Sequence, residues 1–229
     1  MIVYLFDIDG TILQSNPGAS GRVAFDTVFE RAHGVGAASA GIRYGGKTDG
    51  GIIDEIYRAR LGRPPTAVES AAFIDAYLPL LTRMLGEHGV TVLPGVIDAL
   101  DWLATRSDVL LGVATGNVRE GAGVKLAAAG LGAWFERAGA VGGYGCDSTV
   151  RAELVARAIE RAKQQCAPRE VIVVGDTIHD ISAARACGAT VVAVATGADP
   201  ADALRDADAV LATMAELPAW HVARYGADP

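Results

Sequence analysis

Cysteine is scarce in this chain. Cys146, Cys166 and Cys187 are odd in number, widely spaced and form no CxxC pair. That excludes a disulfide framework and a thiolate zinc site, and it points to reduced, buried thiols in a cytoplasmic protein. Long apolar runs are also missing: none approaches the roughly 20 residues that a membrane-spanning helix needs. The apolar run at the N-terminus is too short for a secretory leader, follows no basic segment and is broken by Asp7. Positive charge is the third shortage. Twenty Lys and Arg against 27 Asp and Glu leave a net charge of −7, so neither nucleic acid nor a membrane is expected as a partner. Only three lysines occur (Lys47, Lys125 and Lys163), which leaves few places for a catalytic amine.

What is present is enough for a full core: 229 residues, 51% of them hydrophobic. Short β-branched apolar runs recur at 2–8, 109–115, 170–176, 189–196 and 207–212, and the later ones alternate with helix-like segments such as "DPADALRDA". Strands alternating with helices predict an α/β fold, with a Rossmann-like parallel sheet flanked by helices. Such sheets place ligands beyond the carboxyl ends of their strands, where Asp7, Thr115 and Asp176 all fall. The stretch 15–92 breaks the alternation. Phe25, Val28, Phe29 and Ala32 recur at helical spacing, "TDGGIIDEIYRARLG" makes a shorter helix stopped by Gly62, and Thr66 with Glu69 forms a capping box ahead of a long apolar stripe containing Pro79 as a kink site. The expected organisation is a core domain of residues 1–14 and 93–229, with an α-helical cap domain, 15–92, inserted after the first strand.

The chemistry begins with "FDIDGT". Two carboxylates, Asp7 and Asp9, stand one residue apart at the end of an apolar strand, where they repel each other unless a cation joins them. Alone, the pair also reads as a turn, with Asp9–Gly10 supplying turn chemistry. A second acidic strand end, "GDTIHD", brings Asp176 and Asp180; Thr177 and Asp180 additionally fit a capping box, and the two roles are compatible. In "ATGN", Asn117 reads either as a helix cap or, with Thr115 and Gly116, as donors offered to an anion at a helix N-terminus. Lys47, in the glycine-rich "YGGKTDG", reads either as a solvent-facing loop lysine before the N-cap Thr48 or as a group reaching a substrate.

"DIDGT", "ATGN" and "GDTIHD", in that order and spacing, resemble the motifs of the haloacid dehalogenase superfamily, and the chain is similar to its capped phosphatases of the phosphoglycolate phosphatase kind. The resemblance covers nearly the whole chain and is specific to the superfamily, much less so to a substrate. It implies Asp7 as nucleophile, Asp9 as general acid/base, and Gly10, Thr115, Gly116 and Asn117 around the phosphate. It further implies Mg²⁺ held by Asp7, the backbone carbonyl of Asp9 and Asp176, with Asp180 supporting that site. Asp9 argues against a dehalogenase or a phosphonate-cleaving enzyme, which lack this second acid. One departure stands out: the lysine that usually precedes the "GD" motif is missing. Lys125 lies too early and Lys163 too late, so Arg151 is assigned the cationic role against the alternative of a solvated helix arginine, with both lysines expected to be dispensable. The implied activity is Mg²⁺-dependent hydrolysis of small phosphorylated metabolites, phosphoglycolate-like monoesters, through an aspartyl-phosphate. A sugar phosphomutase is the alternative; a phospho-receiver or a non-catalytic binding protein fits the length and the two aspartates less well. A monomer and a homodimer are equally compatible with the sequence.

Overall fold

Along the first strand, β1 (Ile2–Phe6), every residue is buried, as expected of a strand covered on both faces. In the computed structural model, which describes residues 1–136 and 141–226, β1 lies inside a six-stranded parallel sheet. The other members are β4 (Val109–Ala114), β5 (Gly142–Gly143), β6 (Glu170–Gly175), β7 (Thr190–Val194) and β8 (Ala209–Leu211), in the order β5-β4-β1-β6-β7-β8. Period-two alternation sends Ile2, Tyr4 and Phe6 to one face, against α4 (Val96–Ala104), α5 (Arg119–Ala128) and α9 (Leu217–Tyr225). Val3 and Leu5 face the other way, against α7 (Arg151–Gln165) and α8 (Ile178–Ala186). Each fully buried large side chain in these layers contributes roughly 1.5–3 kcal/mol.

A second pair of strands, β2 (Leu13–Ser15) and β3 (Val90–Val92), runs antiparallel, with Leu13 opposite Val92. Between them lie α1 (Gly21–His33), α2 (Asp49–Leu61) and α3 (Ala67–His88), which close on their own apolar cluster around Phe25, Phe29, Ile53, Tyr77 and Leu81. Ser20, Thr48 and Thr66 cap the three helices with side-chain oxygens, and Glu69 completes the capping box at Thr66. Gly62 ends α2 in the left-handed conformation. α3 runs unbroken through Pro79, which is exposed to solvent. Two expectations fail. The segment after β7 forms only a 3₁₀ turn, Ala201–Leu204, where a helix was predicted. The cysteines form no disulfide, but Cys146 is exposed and Cys166 and Cys187 are only half-buried. No described helix is long and apolar enough to cross a membrane.

Candidate active site

The strand register explains why distant segments meet. Phe6 of β1 pairs with Val113 of β4 on one side and with Val174 of β6 on the other. The chain therefore leaves all three strands at one level, delivering Asp7, Thr115 and Asp176 to the same edge. Asp7, Asp9, Gly10, Lys47, Thr115, Gly116, Asn117, Arg151 and Asp176 all line a single cavity of about 380 Å³ between that edge and the helical segment. Phe25, Tyr44, Ile52 and Tyr77 line it from the helical side.

Asp7 is buried, and its backbone N–H donates to the Val174 carbonyl at 2.8 Å. Burial pushes its carboxyl up to about 6; Arg151 opposes that shift, while the charges of Asp180 and Asp9 add to it. Asp176 is raised to about 7, first by burial and then by the charges of Asp7 and Asp180. Its carboxylate accepts from the Thr11 hydroxyl at 3.0 Å and from the Ala198 N–H at 2.6 Å. Gly10 must be glycine here: its φ is +87°, and a Cβ would stand 2.6 Å from Asp176 Oδ2.

Arg151, the first residue of α7, is buried with its guanidinium between two carboxylates. Nη2 lies 3.0 Å from Asp7 Oδ2, and Nε and Nη2 donate to Asp180 Oδ1 at 2.9 and 2.6 Å. Burial disfavours the charge of Arg151, but Asp180 and Asp7 outweigh it and raise its pKa further. Asp180 also accepts from the Thr177 N–H and hydroxyl, at 3.0 and 2.6 Å, so it caps α8 and orients Arg151 at once. Carboxylate oxygens of Asp7, Asp176 and Asp180 lie within 4.8 Å of one another. Three buried carboxylates facing one guanidinium leave an excess of negative charge, and oxygen donors at that spacing suit a hard divalent cation.

Asp9 turns its carboxylate away from this cluster. Lys125 Nζ donates to its two oxygens at 2.8 and 2.6 Å and to Asn117 Oδ1 at 2.7 Å, while Asn117 Nδ2 donates to Asp9 Oδ2 and Thr115 Oγ1, both at 2.8 Å. The expectation that Lys125 lies outside the site is therefore wrong. A helical side chain leans toward the helix N-terminus, and α5 points that end at the strand edge. A signal was available, since Lys125 shares a helix face with buried Ala122 and Leu126. The capping alternative for Asn117 also fails: Val118 is the N-cap of α5, and the Asn117 amide serves Asp9 and Thr115. Lys47 lines the cavity, yet its Nζ is bound to Glu55 Oε2 at 2.6 Å. Thr11, Ala198 and Asp49 belong to the site and escaped the sequence reading, because each acts through contacts that arise only in the assembled sheet edge.

A family model of haloacid dehalogenase-like hydrolases matches residues 3–188. The chain belongs to that family. Among solved structures, this hydrolase is similar to CbbY from Rhodobacter sphaeroides in complex with phosphate, at 19% identity and a TM-score of 0.70 over 94% of this chain and 95% of that one. It is similar also to a putative beta-phosphoglucomutase from Bacteroides vulgatus, at 18% identity and a TM-score of 0.68 over 99% and 90% of the two chains. A putative phosphoglycolate phosphatase from Lactobacillus plantarum aligns at 18% identity and a TM-score of 0.64 over 94% and 96%. At these identities the likeness carries the fold and not a substrate. No curated protein matches the chain.

Proposed function

We propose that this haloacid dehalogenase-like hydrolase is a Mg²⁺-dependent phosphatase of small phosphorylated metabolites, working through an aspartyl-phosphate on Asp7. The observation that carries the reading is the division of labour between the two aspartates. Asp7 faces Arg151 and Asp176, while Asp9 is held on the other side by Lys125 and Asn117. One carboxylate is thus free to meet phosphorus beside positive charge, and the other to handle a proton.

In the proposed sequence an Asp7 oxygen forms a bond to phosphorus as the bond to the leaving alkoxide breaks, and Asp9 gives that alkoxide its proton. Water then attacks the phosphorus of the aspartyl-phosphate while Asp9 takes its proton, and Asp7 is released with inorganic phosphate. The Thr115 hydroxyl and the Gly116 backbone offer donors to the phosphoryl oxygens, the Asn117 amide holds Thr115 and Asp9 in place, and Arg151 balances charge beside Asp7. Asp7, Asp176 and the Asp9 carbonyl would hold Mg²⁺, which would supply the positive charge that a carboxylate needs to approach a phosphate. The cavity of about 380 Å³ supports a metabolite-sized monoester, and the thiols without disulfides support a cytoplasmic setting.

The test is a panel of phosphorylated metabolites assayed with Mg²⁺ and with chelator, alongside Asp7→Asn. Mg²⁺-dependent release of phosphate, absent in the variant, is the expected result. Full activity in Asp7→Asn, or in chelator, would defeat the reading, and an isomeric phosphorylated product in place of free phosphate would make the enzyme a mutase.

A further inference from the structure

Asp49 opens α2, and an acidic residue in the first turn ordinarily faces solvent near its own helix dipole. Here it does not. Thr48 already caps α2, its hydroxyl accepting from the Gly51 N–H at 3.1 Å. Asp49 is instead buried against the core and makes a two-way connection to the phosphate-side loop. Its N–H donates to the Gly116 carbonyl, and its Oδ2 accepts from the Val118 N–H, both at 2.8 Å. Val118 is the N-cap residue of α5 and has no side-chain cap of its own, so the helical segment supplies a carboxylate at the N-terminus of a core helix. The approach is close: a Cβ on Gly116 would stand 2.1 Å from the Lys47 carbonyl oxygen. The Thr48 hydroxyl adds a 3.4 Å contact to the Thr149 carbonyl.

The segment held this way is 115–118, which carries Thr115 and Asn117. Within the core its backbone is tied by the Thr115 N–H to the Gly143 carbonyl and by the Gly145 N–H to the Asn117 carbonyl, and its Asn117 side chain by Asp9 and Lys125; the Gly116 carbonyl and the Val118 N–H are held by Asp49. We propose that Asp49 is a positioning residue that locks the phosphate-side loop 115–118 when the helical segment sits on the core, so that Thr115 and Asn117 are in place only in the closed arrangement. This rests on the phosphatase reading for its catalytic consequence, though the contact itself can be tested without it. Burying an anion with one partner is costly, and burial raises the Asp49 carboxyl to about 6 against the pull of Lys125 and of the Val118 N–H. A carboxylate serving only to start a helix has no reason to accept that cost.

The experiment is a double-mutant cycle between the two halves of the clasp. Asp49→Ala removes the acceptor. Val118→Pro removes the donor at a φ of −61°, which proline already prefers. With p-nitrophenyl phosphate and saturating Mg²⁺, each single variant is expected to lower kcat/KM by about tenfold to a hundredfold, as the loss of one charge-assisted hydrogen bond implies. The double variant should be no worse than either single one, and Asp49→Asn, which keeps an acceptor oxygen, should recover most of the loss. Amide hydrogen exchange supplies a readout independent of turnover: protection at residues 116–118 should fall in Asp49→Ala while the β1 amides stay protected. Should wild-type protein turn over no phosphate ester, the phosphatase reading fails, and exchange together with the affinity for inorganic phosphate still judges the clasp. Additive effects in the cycle, or unchanged exchange at 116–118, would overturn it. If Asp49→Ala does not fold, Val118→Pro decides the matter through its kcat/KM and its amide exchange at 116 and 117, and wild-type values in both would overturn the clasp.

Discussion

Replacing Arg151 probes the charge balance of the site most directly. Its guanidinium is buried and contacts Asp7 and Asp180 at 3.0 and 2.6 Å. Removing one partner of a buried ion pair typically costs about 3–5 kcal/mol, because the remaining charge is left desolvated and uncompensated. In Arg151→Ala the remaining charges are those of Asp7 and Asp180, with Asp176 close by. Metal-free Arg151→Ala should therefore lose about that much in denaturant unfolding. The loss should grow as pH rises, since ionising these carboxylates is what the folded state then resists. Saturating Mg²⁺ should shrink the difference, because a cation at the cluster takes over part of the compensation; a ligand at a hundred times its Kd stabilises by about 2.7 kcal/mol. In turnover, loss of a charge-assisted contact of roughly 1.5–3 kcal/mol predicts a fall in kcat/KM of about tenfold or more. Arg151→Met separates charge from packing: it fills the space and should remain as impaired as Arg151→Ala in activity. Arg151→Lys should recover part, since a point charge returns without the planar fork that bridges two carboxylates. Arg151→Met with wild-type kcat/KM would refute the reasoning.

The raised carboxyls make a second prediction with a definite sign. Asp7 at about 6 and Asp176 at about 7 lie above their ordinary value of 3.8, so the folded state holds more protons than the unfolded one between about pH 4 and 7. Stability of the metal-free protein should fall as pH rises through that window, and Mg²⁺ should flatten the profile; chelated protein whose stability rises from pH 5 to 7 would contradict this. A third prediction concerns the lysines. Lys125→Ala should lower kcat/KM by about tenfold or more, because Asp9 loses its bidentate partner, whereas exposed Lys163→Ala should stay within about twofold of wild type. Equal activity of the two variants would remove Lys125 from the site.

The sheet edge was legible in the sequence for a physical reason. A residue directly after a buried strand has its position fixed by the strand register, so Asp7, Thr115 and Asp176 could be placed together from their apolar runs alone. Arg151 was reachable in a similar way, through a resemblance that left a missing cation to be supplied. What escaped was reach across elements. Lys125 lies in the second half of α5; its place on the apolar face of that helix was a signal that went unused, and its side chain leaning back toward the N-terminus carries the ammonium to Asp9 at 2.6 Å. Asp49 escaped because its local pattern, threonine then aspartate at a helix start, is fully explained by capping; nothing within "KTDGG" tells that the helix start abuts another loop. The glycines hold the remaining clue. Gly116 is glycine because a neighbouring backbone passes within 2.1 Å of where its Cβ would be, so a glycine beside a phosphate motif can mark the contact surface of an inserted segment as well as the ligand's approach. Register places residues that end strands; residues whose work depends on one element leaning on another become visible only when the two are seen packed.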